Sequence, residues 1–77
     1  MEYEYEYAVI FERTGTGYSC YVPDLPGCVA AASSYAGTKR LITEAISMHL
    51  KSLRASGEPV CAPNAVATMI RISSSEP

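Results

Sequence analysis

The stretch that decides the fold reads Tyr18-Ser19-Cys20-Tyr21-Val22-Pro23-Asp24-Leu25-Pro26-Gly27-Cys28-Val29-Ala30-Ala31-Ala32. Its two ends, residues 18–22 and 28–32, are short apolar runs typical of strands. Between them two prolines each fix φ at about −65°, and neither can donate to a sheet ladder. Asp24 can hydrogen-bond the local backbone, and Gly27 can take a positive φ without steric cost. The stretch therefore predicts two strands joined by a rigid loop, which is where a small scaffold usually carries function. We call residues 21–29 the proline cassette.

Upstream of this stretch, residues 3–12 alternate between aromatic or aliphatic and acidic side chains. One face collects Tyr3, Tyr5, Tyr7, Val9 and Phe11. The other face is glutamate-rich, with Ala8 and Ile10 as exceptions. This period of two predicts a half-buried strand; an acidic binding surface is the alternative interpretation of the glutamates. The turn signal at residues 14–17 then predicts a hairpin with the second strand.

Downstream, the sequence predicts a helix over residues 35–55. Ser34 is a suitable N-cap, Gly57 suits the C′ position, and Pro59 cannot extend the helix. One face at 100° per residue carries an apolar stripe. The stripe consists of Tyr35, Thr38, Ile42, Ala45, Ile46, His49 and Leu53. Leu41 and Met48 lie on one flank of the stripe, and Leu50 lies on the other.

The last predicted element is a fourth strand over residues 65–72, where apolar and smaller or polar positions alternate again. The order is therefore β-β-β-α-β. The simplest arrangement that buries both apolar stripes is an α+β fold, an antiparallel sheet with one helix on one face. We expect a single domain over residues 1–77 with an ordered core of about 3–72, and no C-terminal DNA-binding domain.

Composition narrows the classes of function. The 77-residue chain carries a net charge of −2, and its pI is about 5.2. Direct binding of nucleic acid is not expected, because such proteins usually show a basic stripe. Three cysteines without a close pair suit a reducing compartment. No apolar run approaches the roughly 20 residues of a membrane span, and the acidic start lacks a signal-peptide pattern. We expect a cytoplasmic protein with no membrane partner.

No constellation of residues indicates catalysis. His49 is the only histidine and lies on the apolar face of the predicted helix, where a packed ring is the ordinary interpretation. The cysteines at positions 20, 28 and 61 lack the close spacing of zinc ligands. The sole aspartate is Asp24, and the glutamates fit a solvent face as well as a metal site. The sequence therefore predicts no enzyme activity, no metal and no cofactor.

Three motifs resemble the HicB-like antitoxin family, the antitoxin halves of HicA/HicB toxin–antitoxin pairs. The proline cassette resembles the family's central Pro-Asp-Leu-Pro-Gly-Cys signature. Residues 44–53 resemble its Glu-Ala-Leu helix, and residues 57–63 resemble its Gly-Glu-Pro exit. The resemblance covers about residues 4–72. The start of the helix departs from the family pattern, since the usual capping-box glutamate is missing.

The resemblance implies a partial ribonuclease-H-like β-β-β-α-β fold without nuclease chemistry. It also implies a function, the binding and neutralisation of a small basic HicA-type mRNA interferase toxin. The cassette is the expected contact, because ordering a rigid apolar loop beside one acid costs little entropy. The expected partner-binding residues are Tyr21, Asp24, Leu25, Pro26 and Gly27. The alternative is that the prolines and the glycine only build the connection between strands.

Two other functions stay open. The chain could be an orphan interaction or regulatory domain that assembles with itself and has no toxin partner, or a ribonuclease-H-like enzyme. We expect a homodimer or larger assembly, with Leu41, Met48 and Leu50 as the oligomer interface, since these side chains flank the core stripe.

Overall fold

The computed structural model describes residues 4–75, and within them it contains three strands and one helix. They are β1 (Ile10–Arg13), β2 (Tyr18–Tyr21), β3 (Val29–Ala32) and α1 (Tyr35–Ala55). The strands form one antiparallel sheet in the order β1-β2-β3, and α1 packs across β2 and β3. The predicted α+β class is confirmed.

The register of the sheet sorts its residues into two faces. Phe11 pairs with Cys20, and Cys20 pairs with Ala30. This row faces the helix, since Cys20 belongs to the buried core and the other two residues pack against that core. In the neighbouring row the pairs are Ile10 with Tyr21 and Tyr21 with Val29. Because successive side chains alternate across a strand, this second row lies on the face away from the helix.

The turn between β1 and β2 depends on glycine at position 17. The Thr14 amide donates to the Gly17 carbonyl at 2.8 Å and closes the turn. A Cβ atom on Gly17 would lie 2.2 Å from the carbonyl oxygen of Ala32 and 2.6 Å from the Cα of Ser33. The end of β3 therefore approaches the hairpin too closely for any side chain at this position.

The core is small and partly built by the loop between β2 and β3. Its buried apolar residues are Cys20, Val22, Leu25, Cys28 and Ile42. Thr38 on α1 is also fully buried, and its hydroxyl donates to the Ser34 carbonyl at 2.8 Å. The same hydroxyl lies 3.4 Å from the Tyr18 carbonyl of β2. A threonine thus satisfies its polar atom at the contact between helix and sheet, as a buried hydroxyl must.

Both ends of α1 lie where the sequence predicts them. The Ser34 side chain accepts a hydrogen bond from the Gly37 amide at 3.0 Å, as an N-cap does. At the other end the Glu58 amide donates to the Leu53 carbonyl, and the Gly57 amide donates to the Arg54 carbonyl. This pair of bonds is a Schellman motif, with Gly57 at the C′ position.

Two predicted strands differ from the structure. The first strand, expected over residues 3–12, begins only at Ile10; Tyr3 lies outside the described residues. The fourth strand, expected over residues 65–72, does not form: residues 58–75 contain neither strand nor helix. Val66 and Ile70, which were expected on one face of that strand, are 87 % and 74 % exposed. The alternation is present in the sequence, but within residues 4–75 no strand pairs with this segment.

Candidate functional site

The proline cassette folds as two consecutive turns. The Leu25 amide donates to the Val22 carbonyl at 3.1 Å, and the Cys28 amide donates to the Leu25 carbonyl at 3.0 Å. A third bond, from the Val22 amide to the Cys28 carbonyl at 3.2 Å, joins the two ends of the loop. Each turn has proline in its second position, where a φ of about −65° is required. Gly27 occupies the third position of the second turn with φ of 85°, which defines a type II turn.

The cassette turns its predicted contact residues in different directions. Tyr21 is 42 % exposed, and Pro26 and Gly27 are also exposed. Leu25 is fully buried and belongs to the core. The structure therefore gives Leu25 a packing role within the chain, and it leaves Tyr21 and Pro26 accessible to a partner.

Asp24 fixes the C-terminal segment to the cassette. Its Oδ2 accepts hydrogen bonds from the Asn64 and Ala65 amides, both at 2.9 Å. These two bonds favour the charged form of the Asp24 carboxyl and therefore lower its pKa. The bond from the Ala65 amide has the larger effect. The sequence suggested that Asp24 shapes the turn or contacts a partner; in the structure it joins segments 40 residues apart.

Beside the cassette, the outer face of the sheet carries an apolar row that consists of Ile10, Tyr21 and Val29; we call it the outer row. Val29 is 64 % exposed, and Ile10 is half-buried. The following positions on this face are Glu12, Ser19 and Ala31, so the apolar patch ends after one row. An exposed tyrosine beside a rigid loop is typical of a protein contact, because aromatic residues are enriched at protein interfaces. Tyr21 was predictable from its place in the cassette, whereas no signal in the sequence distinguished Val29. Ile10 was marked by its place as an apolar exception on the glutamate face.

An apolar groove lies on the other face of the sheet, between the N-terminal segment and α1. Its volume is about 410 Å³. One wall carries Tyr5, Tyr7, Val9 and Phe11, which are four of the five residues that the alternation placed on one face. The other wall belongs to α1 and consists of Lys39, Ile42, Thr43, Ile46, Ser47 and Leu50. The groove is thus an open extension of the core at the edge of β1.

Tyr7 connects this groove to the C-terminal segment. Its hydroxyl donates to the Cys61 carbonyl, and its ring stacks on that of Tyr5 with centroids 6.0 Å apart. Burial is the largest of the causes that raise the pKa of the Tyr7 hydroxyl, and the neighbouring Tyr5 is the second largest. Tyr7 therefore stays a hydrogen-bond donor at neutral pH and holds residue 61 beside the sheet.

The predicted oligomer residues do not form one patch. Leu41 and Met48 are 40 % and 70 % exposed, whereas Leu50 is half-buried and lines the groove. Leu41 and Met48 lie on one flank of α1 and Leu50 lies on the other, so one flat contact along the helix would not bury all three side chains.

Burial makes two of the three cysteine thiols poor candidates for chemistry. Burial raises the pKa of the Cys28 thiol. It is also the largest of the causes that act on the Cys20 thiol, whose pKa is raised as well. Both cysteines are therefore protonated at neutral pH, whereas Cys61 is exposed. Within residues 4–75, no three histidine, cysteine or acidic side chains come together in a way that could hold a metal ion. Across the same residues, no helix combines the length and hydropathy that crossing a bilayer requires.

Fold and site together define a small α+β domain with a rigid surface loop, an outer apolar row and an open groove. Residues 7–75 match the model of the HicB-like antitoxin family of bacterial toxin–antitoxin systems. The chain belongs to this family. A relative from Helicobacter pylori, a UPF0150 protein, is 41 % identical over 46 residues, which is 60 % of this chain and 64 % of the relative. The matched part thus spans less than two thirds of that relative. No solved structure matches this chain.

Proposed function

We propose that this chain neutralises a small basic HicA-type mRNA interferase toxin in the cytoplasm by binding it as a protein, without enzymatic activity of its own. Membership of an antitoxin family supports a toxin as the partner. The pI of about 5.2 favours a basic one. The β-β-β-α order is compatible with a partial ribonuclease-H-like ancestry.

The observation that carries the proposal is the outer row together with the exposed part of the cassette. Tyr21 and Val29 are cross-strand partners at the base of the loop, and both are exposed. Pro26 and Gly27 extend this surface. Tyrosine is enriched among residues that dominate binding energy at protein interfaces. A rigid loop also loses little conformational entropy when it binds.

Asp24 and Leu25 take supporting roles in this proposal. Leu25 holds the loop onto the core, and Asp24 holds residues 64–65 against it. Their substitution should weaken toxin binding through the shape of the cassette, whereas substitution at Tyr21 should weaken it through direct contact.

The test is binding to a HicA-type toxin and rescue of growth when that toxin is expressed. Tyr21→Asp should raise the Kd at least about 30-fold, equivalent to about 2 kcal/mol, and should abolish rescue. Ala36→Asp is the matched control, because residue 36 is exposed on the first turn of α1, where an acid favours the helix. Both variants should retain the wild-type circular dichroism spectrum.

Two results would contradict the proposal. One is full rescue by the Tyr21→Asp variant, which would remove the outer row from the contact. The other is an absence of binding to HicA-type toxins by the wild-type chain, which would leave the orphan interaction domain as the better description.

A further inference from the structure

The segment that was expected to form the fourth strand is an exposed apolar arm. We define the arm as residues 66–72. Its four large apolar side chains, Val66, Met69, Ile70 and Ile72, are between 74 and 97 % exposed. The radius of gyration is 15.4 Å, against about 11.5 Å for a compact chain of this length. The exposure of its side chains shows that the arm does not pack on the body, and the large radius of gyration agrees with this.

Among the described residues, no strand pairs with the edge of β1 that lies beside the groove. β1 is an edge of the sheet, since β2 is its sole partner among the described strands. The groove opens beside that edge and its walls are mainly apolar, and no arm residue is among those that line it. An unpaired edge next to an open apolar surface is a site for addition of another strand.

Arm and edge are complementary in pattern and in charge. The arm alternates with a period of two, so one of its faces presents Val66, Ile70 and Ile72 together. Its seven residues would span about 23 Å if extended. Arg71 is the only charged residue between positions 59 and 75. Glu4 and Glu6 are exposed on the segment that supplies the tyrosine wall of the groove.

We propose that the arm of one chain adds to the β1 edge of a second copy and fills its groove, so that two copies exchange arms about a two-fold axis. The bonds from Asn64 and Ala65 to Asp24 fix where the arm leaves the body. From that point the arm stays outside its own groove. In a closed dimer each chain both donates an arm and receives one, so that both exposed apolar surfaces are buried.

The experiment is sedimentation equilibrium of the purified chain with four variants, each checked for folding by circular dichroism. Ile70→Asp places a charge on the apolar face of the arm. Ser47→Arg obstructs the groove at an exposed helical position. Each should raise the dimer dissociation constant at least about 100-fold. The matched controls are Ala67→Asp on the other face of the arm and Ser52→Arg outside the groove, and both should stay dimeric.

Mixing the two disruptive variants tests the exchange itself. A mixed dimer retains one intact arm, from the Ser47→Arg chain, in one intact groove, from the Ile70→Asp chain. The mixture should therefore associate more tightly than either variant alone. A dimer formed by the exposed flank of α1 would show no such complementation.

Three results would overturn the inference. They are a monomeric wild-type chain, a dimer that survives both disruptive changes, and a mixture no tighter than its components. A chain that is monomeric alone and whose arm is protected from exchange only when toxin is added would assign the arm to the toxin. Because the assay contains no toxin and changes no outer-row residue, its outcome is separate from that of the proposed function.

Discussion

Replacing Leu25 by alanine tests whether the cassette belongs to the core. Leu25 has no exposed surface and lies within the buried cluster. Removing such a side chain costs about 2–5 kcal/mol, from lost apolar transfer and from the cavity left behind. A chain of this length is stable by about 4–12 kcal/mol in total. The substitution should therefore remove roughly half of the stability, although the residue lies in a loop.

The assay is urea denaturation followed by circular dichroism. With a slope of about 1 kcal/mol/M, a loss of about 3 kcal/mol lowers the midpoint by about 3 M. All variants are compared at one protein concentration, because association would make the midpoint depend on it.

Two further variants make the comparison decisive. Leu25→Met conserves volume and should cost less than about 1.5 kcal/mol. Val29→Ala truncates an exposed neighbour and should cost less than about 1 kcal/mol. If Leu25→Ala costs no more than Val29→Ala, Leu25 is not part of the core and returns to the set of partner-contact residues.

Three other outcomes are expected. Gly17→Ala should destabilise the chain by about 1–3 kcal/mol in the same assay, because its Cβ has no space, whereas Gly15→Ala should stay within about 0.5 kcal/mol, since nothing lies within 4 Å. Asp24→Ala should accelerate hydrogen exchange at the amides of residues 64–65, measured by NMR. In the wild-type chain these amides should stay protected above the ordinary aspartate pKa and lose protection as the pH falls through the lowered pKa, because only the carboxylate accepts both bonds well. Iodoacetamide should modify the exposed Cys61 well before the two buried thiols. Mass spectrometry should detect one rapid addition per chain. Three equally fast additions would contradict the burial of Cys20 and Cys28 in the core.

Local signals predicted the helix and the cassette. Ser34 and Gly57 mark the ends of α1 because each satisfies backbone groups that the helix leaves unpaired. The two prolines and Gly27 predicted a rigid loop, since they restrict or permit particular φ values. The alternation over residues 3–12 placed four described side chains on one face, and the structure brings all four to the groove.

The features that the sequence did not predict depend on contacts between residues that are far apart in the chain. The alternation of residues 65–72 is typical of a strand, but a strand also requires an edge, and periodicity does not identify one. The burial of Leu25 follows from the way the two turns fold back onto the sheet, which short-range patterns do not specify. The link from Asp24 to residues 64–65 spans 40 positions, so no local motif indicates it.

The cassette is also a part of fixed length. Its two turns and the bond between the Val22 amide and the Cys28 carbonyl fix the number of residues in the loop. An inserted residue would move Leu25 out of its cavity and break the pairing that sets Tyr21 opposite Val29. Chains of this design should therefore change what they recognise by exchanging side chains on the outside of the loop, while insertions accumulate elsewhere, for instance at the open position of Gly15.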